Sequence, residues 1–295
     1  SAVFGGVSGS AVANASALGP VLIPWQKKSG YPAALCAANL ATSSVIDILI
    51  PPSIPMILYS LISGTSVADL FIAGVLPGLL MAGGFIGVCW WISKRRGYKK
   101  TGSVIGKKEM LRLAVRSIPA LIMPVWILVF MRFGIATPTE VAVLAVIYSI
   151  LLSVFLYKDL GWARFKEAMV EAGIATGVVM LVIMGSAACG WLLTFDEVPS
   201  RFVAWVSTTI QNPWLILLAM NVVLLVVGMP LDLPPALLLF GPIFVPLGVS
   251  LGLDPVQIGL ILIINLGIGI YTPPVGTTLF IAASIAKSSL DDTTR

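Results

Sequence analysis

Small side chains that carry oxygen cluster beside glycine and proline in four short stretches of this chain. Glycine and proline interrupt helices, and an interrupted helix leaves backbone carbonyl and amide groups without their usual partners. Carbonyl oxygens and small polar side chains suit a hard monovalent cation such as sodium, whereas the amino-terminal ends of half-helices suit a carboxylate. The polar residues of the four stretches are Ser8, Ser10 and Asn14; Ser43, Ser44, Asp47 and Ser53; Asp232; and Asn265, Thr272, Thr277 and Thr278.

The alternative for each of these residues is a hydrogen bond back to its own helix, which is common for an isolated serine or threonine. For the acidic residues, binding roles and structural roles can be distinguished one residue at a time. Asp232, flanked by apolar residues in a proline-rich segment, is the first candidate for contact with an ion or substrate. Asp47 is either an ion ligand or a partner for the backbone interrupted at Pro51. Glu140 has the capping-box spacing from Thr137, which predicts a helix cap instead of a binding role.

Several chemistries are excluded by composition. The chain has no histidine, so it has no histidine proton relay. Cys36, Cys89 and Cys189 lack metal-ligand spacing and are interpreted as small buried apolar residues. Catalysis inside the membrane would need a nucleophile with a base, and none is evident. We therefore predict that the protein is not an enzyme and has no cofactor, with sodium as a coupling ion.

The elements that must position the polar stretches occur twice, 222 residues apart. The pair Pro51 and Pro52 returns as Pro273 and Pro274. The same offset places Gly6 on Gly228, Gly19 and Pro20 on Gly241 and Pro242, Pro24 on Pro246, Gly30 on Gly252, and Asp69 on Asp291. Repeated apolar segments with such interruptions are typical of secondary transporters, whose site lies where the two copies meet.

Composition predicts a polytopic membrane protein. Apolar residues make up 58% of the chain and charged residues 11%, and the mean hydropathy is +1.02. The net charge of +5 does not indicate nucleic acid, because the basic residues cluster in connections between apolar segments.

Basic residues also predict the topology. Nine of the 18 Lys and Arg residues lie within 94–116, which we expect to be cytoplasmic. The predicted spans are 31–63, 68–92, 115–133, 138–157, 168–194 and 255–287, with a re-entrant hairpin at 213–248. In this arrangement Arg132 and Arg201 are the only Lys or Arg residues outside the cytoplasmic side. The two repeats then cross the membrane in opposite directions.

We therefore predict an all-α polytopic membrane protein, an inverted-repeat transporter with two re-entrant helical hairpins and two broken transmembrane helices. Residues 1–64 form the first repeat of a transport domain, 65–212 the connecting helices of the scaffold and arms, and 213–295 the second repeat. The chain opens in the middle of a membrane element, so we expect further sequence before Ser1.

Seven stretches in order resemble the large membrane subunit of the tripartite ATP-independent periplasmic (TRAP) transporters, over essentially the whole chain. They are SGSAVANASALG, IPWQKKSGYP, ILIPPSIPMILYS, SVADLFIAGVLPGLL, KRRGY, TPTE and GIYTPPVGTTLF. The resemblance implies sodium-driven import of a small organic acid by an elevator movement in the bacterial inner membrane. It implies two partners, a small four-helix membrane subunit and a periplasmic substrate-binding protein. It also implies a further span after Arg295.

The resemblance assigns roles to the polar stretches. The substrate is expected at Ser10, Ser53 and Asp232. One departure is that Asp47 and Ile48 stand where the family often has Gly-Pro, which puts the local ion coordination in question. The expected sodium-binding residues are Ser8, Ser10, Asn14, Asp47, Pro52, Gly228, Asp232, Gly269, Thr272 and Thr277.

Two points stay open at the level of sequence. A C4-dicarboxylate, a sialic acid or another sugar acid would all fit as substrate. A single-component sodium/carboxylate symporter would share the hairpins and inverted repeats, but it would need no binding protein.

Overall fold

The computed structural model describes residues 2–98 and 106–294, and within those ranges every regular element is helical. The helices are α1 (Ala2–Ser8), α2 (Ala11–Lys28), α3 (Ala33–Ser44), α4 (Ile54–Ser63), α5 (Val67–Arg95), α6 (Lys107–Arg132), α7 (Pro138–Leu151), α8 (Trp162–Phe195), α9 (Val198–Thr209), α10 (Pro213–Gly228), α11 (Leu233–Ser250), α12 (Pro255–Gly269), α13 (Thr277–Ala286) and α14 (Leu290–Thr294). A 3-10 turn, Val45–Ile48, follows α3, and a π-helical turn, Leu152–Leu156, follows α7. The predicted all-α fold is confirmed. The basic residues Lys99 and Lys100 lie outside the described residues.

Among residues 2–98 and 106–294, five helices are long and apolar enough to cross a membrane, which takes about 20 residues. They are Val67–Arg95, Lys108–Arg132, Pro138–Leu156, Trp162–Phe195 and Leu233–Ser250. The apolar helices α3, α4, α12 and α13 are shorter, because each is half of a helix interrupted where the sequence has its Pro-Pro pair. The prediction of a polytopic membrane protein with two broken helices is therefore confirmed.

Helix boundaries follow the 222-residue repeat. Helices α2 and α11 have 18 residues each, and both their first and their last residues are 222 positions apart. Each is followed by a glycine at positive φ, Gly30 at 85° and Gly252 at 80°, a conformation that glycine adopts without a Cβ clash. Helices α3 and α12 begin 222 residues apart, and both Pro-Pro peptide bonds are cis.

The chain divides into two compact units, one of Ser1–Gly102 with Ala187–Arg295 and one of Ser103–Ser186. Both predicted repeats lie in the first unit. The assignment of 65–212 to scaffold and arms stays a prediction.

Within the first unit, each repeat packs the second half of its broken helix against the other repeat. Helix α13 lies against α2 and α3, and α4 lies against α11. The fully buried Tyr59 donates its hydroxyl to the carbonyl of Pro255 at 2.6 Å, which ties α4 to the start of α12. Lys27 donates to the carbonyl of Ala286 at 2.5 Å, so the end of α2 satisfies the end of α13. The two repeats therefore share one core.

Within the second unit, tyrosines join α6 to α7 and to the residue that follows the π-helical turn. Tyr148 donates to the carbonyl of Pro119 at 2.7 Å, and Tyr157 donates to the carbonyl of Arg116 at 2.9 Å. At the start of α7, Thr137 and Glu140 form the predicted capping box, in which each side chain accepts from the other residue's backbone N–H. The prediction that Glu140 caps a helix is confirmed.

Helix α9 lies between the predicted span 168–194 and the predicted hairpin 213–248, where no element is predicted from the sequence. Its Pro199 and Val206 are buried, and Phe202 packs edge-on against Phe244 with ring centroids 6.3 Å apart. Trp205 on the same helix is exposed. A 12-residue helix with polar residues interspersed gives only a short periodic signal, which explains why the pattern was missed.

Candidate functional site

The first hairpin turns between α1 and α2. Gly9 has a φ of 63°, the left-handed conformation, at the point where the chain reverses. Ser10 is the N-cap of α2 and accepts a hydrogen bond from Ala13 N at 3.4 Å. Ser8 donates its hydroxyl to the carbonyl of Ser10 at 3.1 Å. Local hydrogen bonds and one glycine therefore fix the shape of this tip.

The first broken helix restarts at Ser53, the N-cap of α4. The Ser53 hydroxyl accepts from Met56 N at 3.4 Å and donates to the carbonyl of Ile48 at 2.6 Å. One fully buried side chain thus satisfies backbone groups on both sides of the interruption.

The tip and the break of the first repeat meet directly. The Ile54 N–H donates to the carbonyl of Gly9 at 3.2 Å. A Cβ on Gly9 would collide with the carbonyl oxygen of Pro52, so only glycine permits this approach. We call this contact between Gly9 and Ile54, together with Ser10, Asn14, Asp47 and Ser53, the first junction.

A buried carboxylate lies in the first junction. Asn14 on α2 donates its amide to Asp47 Oδ2 at 2.6 Å, and both side chains are 0% exposed. Within the described residues, Asp47 Oδ1 has no hydrogen-bond partner. Gly5 lies against it, since a Cβ on Gly5 would come within 2.7 Å of this oxygen. A buried charge without full compensation is costly, so this oxygen is suited to a bound positive charge.

The second repeat builds a similar contact, with an equivalent donor and an acceptor two residues nearer the start of the chain, which we call the second junction. The Gly276 N–H donates to the carbonyl of Met229 at 3.3 Å. Gly276 lies 222 residues after Ile54, the donor in the first junction. Gly228 and Gly269 touch through their backbones, so a Cβ on Gly269 would collide with Gly228.

Hydroxyl groups of non-equivalent residues donate to equivalent carbonyls in the two breaks. Thr278 donates to the carbonyl of Ile270 at 2.9 Å, and Ile270 is the repeat equivalent of Ile48, the acceptor for Ser53. Thr277 donates to Asp232 Oδ1 at 3.3 Å, which joins the start of α13 to the second tip. Asp232 is half-buried, whereas Asp47 is fully buried.

The two breaks approach each other inside the first unit. A Cβ on Gly267 would collide with the side chain of Ile48 and would lie 3.2 Å from that of Val45. The structure thus brings most of the sequence-predicted residues into two neighbouring places, the first and second junctions.

Some predicted residues make local hydrogen bonds instead. Thr272 donates to the carbonyl of Ile268 at 2.7 Å, and Ser44 donates to that of Ala41 at 2.8 Å. Asn265 donates to the carbonyl of Ile261 at 2.7 Å and across to Asn221 Oδ1 at 2.6 Å. These contacts match the alternative considered from sequence, but ion and substrate roles stay predictions for all of the site residues.

Sequence reasoning missed several groups that build the junctions. Gly5 lies against Asp47, and the carbonyls of Ile48 and Ile270 are the hydroxyl acceptors. The offset of 222 pairs the two isoleucines, so a complete comparison of the repeats would have found them. The closeness of Gly5 to Asp47 had no sequence signal, since it depends on tertiary packing.

These observations define a class of protein, a polytopic all-α membrane protein with two repeats of hairpin and broken helix. The profile described as "Tripartite ATP-independent periplasmic transporter, DctM component" matches residues 1–295. The chain therefore belongs to the DctM component family of the tripartite ATP-independent periplasmic transporters, multi-pass proteins of the bacterial inner membrane.

Relatives agree with this assignment. Protein y4mL of Sinorhizobium fredii is 65% identical over 295 residues, which is 100% of this chain and 70% of the relative. The C4-dicarboxylate TRAP transporter large permease protein DctM of Pseudomonas aeruginosa is 35% identical, over 99% of this chain and 68% of its own length. The sialic acid TRAP transporter large permease protein SiaM of Vibrio cholerae is 34% identical, over 100% and 69%. The last two are named as permeases, in agreement with a transporter and not an enzyme.

Proposed function

We propose that this chain is the transport subunit of a sodium-coupled importer of a small organic acid, of the sialic acid or C4-dicarboxylate class. The observation that carries the proposal is the pair of equivalent junctions, each with one carboxylate. Asp47 supplies it in the first junction and Asp232 in the second. Sodium prefers hard oxygen ligands, and each junction offers a carboxylate next to interrupted backbone.

One cation bound at each junction would neutralise the carboxylate there. A lone buried carboxylate is costly in a membrane protein, and a monovalent cation neutralises it. In the first junction, Asn14 occupies one oxygen of Asp47 and leaves the other for the ion. In the second, Asp232 holds the hydroxyl of Thr277 and is more exposed, so we expect its ion to exchange more readily.

An anionic substrate fits the helix directions at the junctions. Helices α2 and α4 both begin at the first junction, where Ser10 and Ser53 are their N-caps. Helices α11 and α13 both begin at the second. Helix amino termini carry partial positive charge and exposed N–H groups, so four of them favour a carboxylate. Ser10, Ser53 and Asp232 are the proposed substrate contacts.

The packing of the repeats supports the proposed mode of transport. Each half-helix after a break packs on the other repeat, so we expect the two hairpins and two broken helices to move as one body. An elevator movement against a separate scaffold would carry the junctions across the membrane. The proposed partners are a small four-helix membrane subunit, which extends the scaffold, and a periplasmic binding protein, which delivers substrate.

Proteoliposomes test the proposal. The complete large and small subunits are reconstituted and loaded with sodium-free buffer, and uptake of radiolabelled succinate and N-acetylneuraminate is measured. We expect uptake of one of the two acids, only with an inward sodium gradient and only after the binding protein is added.

Two outcomes would contradict parts of the proposal. Equal uptake with choline in place of sodium would exclude sodium coupling. Comparable uptake without the binding protein, at saturating substrate, would favour a single-component symporter. Asp196→Asn, an exposed carboxylate outside both junctions, is the control for Asp47→Asn and Asp232→Asn, which we expect to abolish uptake.

A further inference from the structure

Helix α6, in the second unit, is longer than a membrane requires. Its 26 residues extend about 39 Å at 1.5 Å per residue, against about 30 Å for the hydrocarbon core of a bilayer. The excess of about 9 Å corresponds to roughly two turns of helix. Residues 107–116, at its amino-terminal end, contain four basic residues and one acidic residue. The excess length therefore falls where the helix is most basic.

Three of these basic residues share one side of α6. Lys108, Arg112 and Arg116 are spaced by four residues, so their side chains follow one another along the same helix face. All three are exposed, and among the described residues no ion pair involves them. We call these three residues the basic stripe.

Exposed apolar residues lie between the charges. Leu111, Leu113 and Val115 are 65%, 52% and 56% exposed. Such a mixture suits neither bulk water nor hydrocarbon. It suits the boundary between acyl chains and headgroups, where apolar side chains point into the bilayer and long basic side chains extend toward the phosphates.

An aromatic residue marks the same level of the second unit. The guanidinium of Arg116 lies 5.9 Å from the ring centroid of Tyr157, whose hydroxyl bonds to the Arg116 carbonyl. Tyrosine is enriched at the membrane interface. The exposed Lys158 and Asp159 follow Tyr157 in the sequence, and Asp159 forms an ion pair with Arg164.

We propose that the basic stripe binds the headgroups of anionic phospholipids. The partner is a lipid and not an acidic protein segment, because the apolar side chains between the charges need a hydrocarbon neighbour. Each basic side chain near an anionic surface is worth a factor of about five in binding. The stripe should therefore enrich anionic lipid around this part of the protein.

Electron spin resonance of spin-labelled lipids provides the test. The full-length protein is reconstituted in phosphatidylcholine vesicles with trace spin-labelled phosphatidylglycerol or spin-labelled phosphatidylcholine, and the immobilised fraction of each label is compared. We expect several-fold preference for phosphatidylglycerol, lost in K108Q/R112Q/R116Q and in high salt, which screens the interaction.

Two controls separate charge at this position from charge in general. K108R/R112K/R116K retains the three positive charges and should retain the preference for phosphatidylglycerol. R201Q removes a positive charge on α9, outside the basic stripe, and should also retain that preference. The salt effect on the unmodified protein tests the proposal even if the triple glutamine variant misfolds. An unchanged preference in the triple glutamine variant, an equal loss in R201Q, or no preference in the unmodified protein would overturn the proposal.

Discussion

Each junction contains one carboxylate, but the two repeats place it on different elements. Asp47 lies in the first break, and its repeat equivalent is Gly269. Asp232 lies at the second tip, and its equivalent is Ser10. Side chains have diverged between the repeats, whereas a backbone N–H at the start of the second half-helix donates to the hairpin tip in both, Ile54 to Gly9 and Gly276 to Met229. We infer that one negative charge per junction is the property that matters, whichever element supplies it.

Gly9 provides a test of the tip at the level of one residue. Gly9→Ala should reduce stability by about 1 kcal/mol because φ is positive, and it should also displace Pro52 and weaken the first junction. We expect uptake to fall at least tenfold, measured in proteoliposomes at equal protein content.

Gly30→Ala is the matched control. Gly30 has a φ of 85°, and a Cβ there would meet no atom within 4 Å. The Gly30→Ala variant should therefore lose about as much stability as Gly9→Ala but retain the uptake of the unmodified protein. If both variants lost uptake equally, backbone strain and not the junction contact would explain the result.

Thr277 tests the second junction. Removing its hydroxyl in Thr277→Val takes away the donor to Asp232, so we expect the sodium concentration for half-maximal uptake to rise several-fold. Thr272→Val is the comparison, because that hydroxyl bonds within its own helix and its loss should have a smaller effect. A larger effect for Thr272→Val would indicate that the ion binds at Thr272 in the break and not at Asp232 in the tip.

At the scale of elements, glycine and proline made much of the fold predictable. They placed both breaks and both hairpin tips, and the 222-residue offset matched the bounds of α2 and α11. The hydrogen bond between Ile54 and Gly9 could not be predicted, because it joins backbone groups whose residue types carry no signal. Asp47 was predicted as either an ion ligand or a backbone partner, and the structure shows its hydrogen bond to a side chain, Asn14.

The direction of the elements in the membrane is tested by labelling single cysteines. Lys28→Cys and Arg201→Cys, both exposed, should react with an impermeant maleimide from opposite sides, cytoplasmic and periplasmic respectively. The interpretation of the three cysteines as buried is right for Cys36 and wrong for Cys189, which is exposed, while Cys89 is partly exposed. The labelling background therefore needs Cys189 replaced by serine, and Cys36 and Cys89 replaced if they react. Labelling of both positions from one side would remove the inverted relation of the repeats.

At the scale of the whole molecule, the shared core of the repeats holds the two proposed cation sites together. Because α4 and α13 each pack on the other repeat, we expect both repeats to stabilise each junction. Binding of a cation at either junction should then stabilise the entire first unit. This consequence can be measured without knowledge of the substrate.

The most direct measurement is the thermal unfolding midpoint of the full-length protein in sodium chloride and in choline chloride at equal ionic strength. A ligand present at 100 times its Kd stabilises the folded state by about 2.7 kcal/mol, so we predict a higher Tm in sodium. Asp47→Asn and Asp232→Asn should each lose part of that shift, while Asp196→Asn keeps it. Equal Tm values in sodium and choline for the unmodified protein would contradict the account.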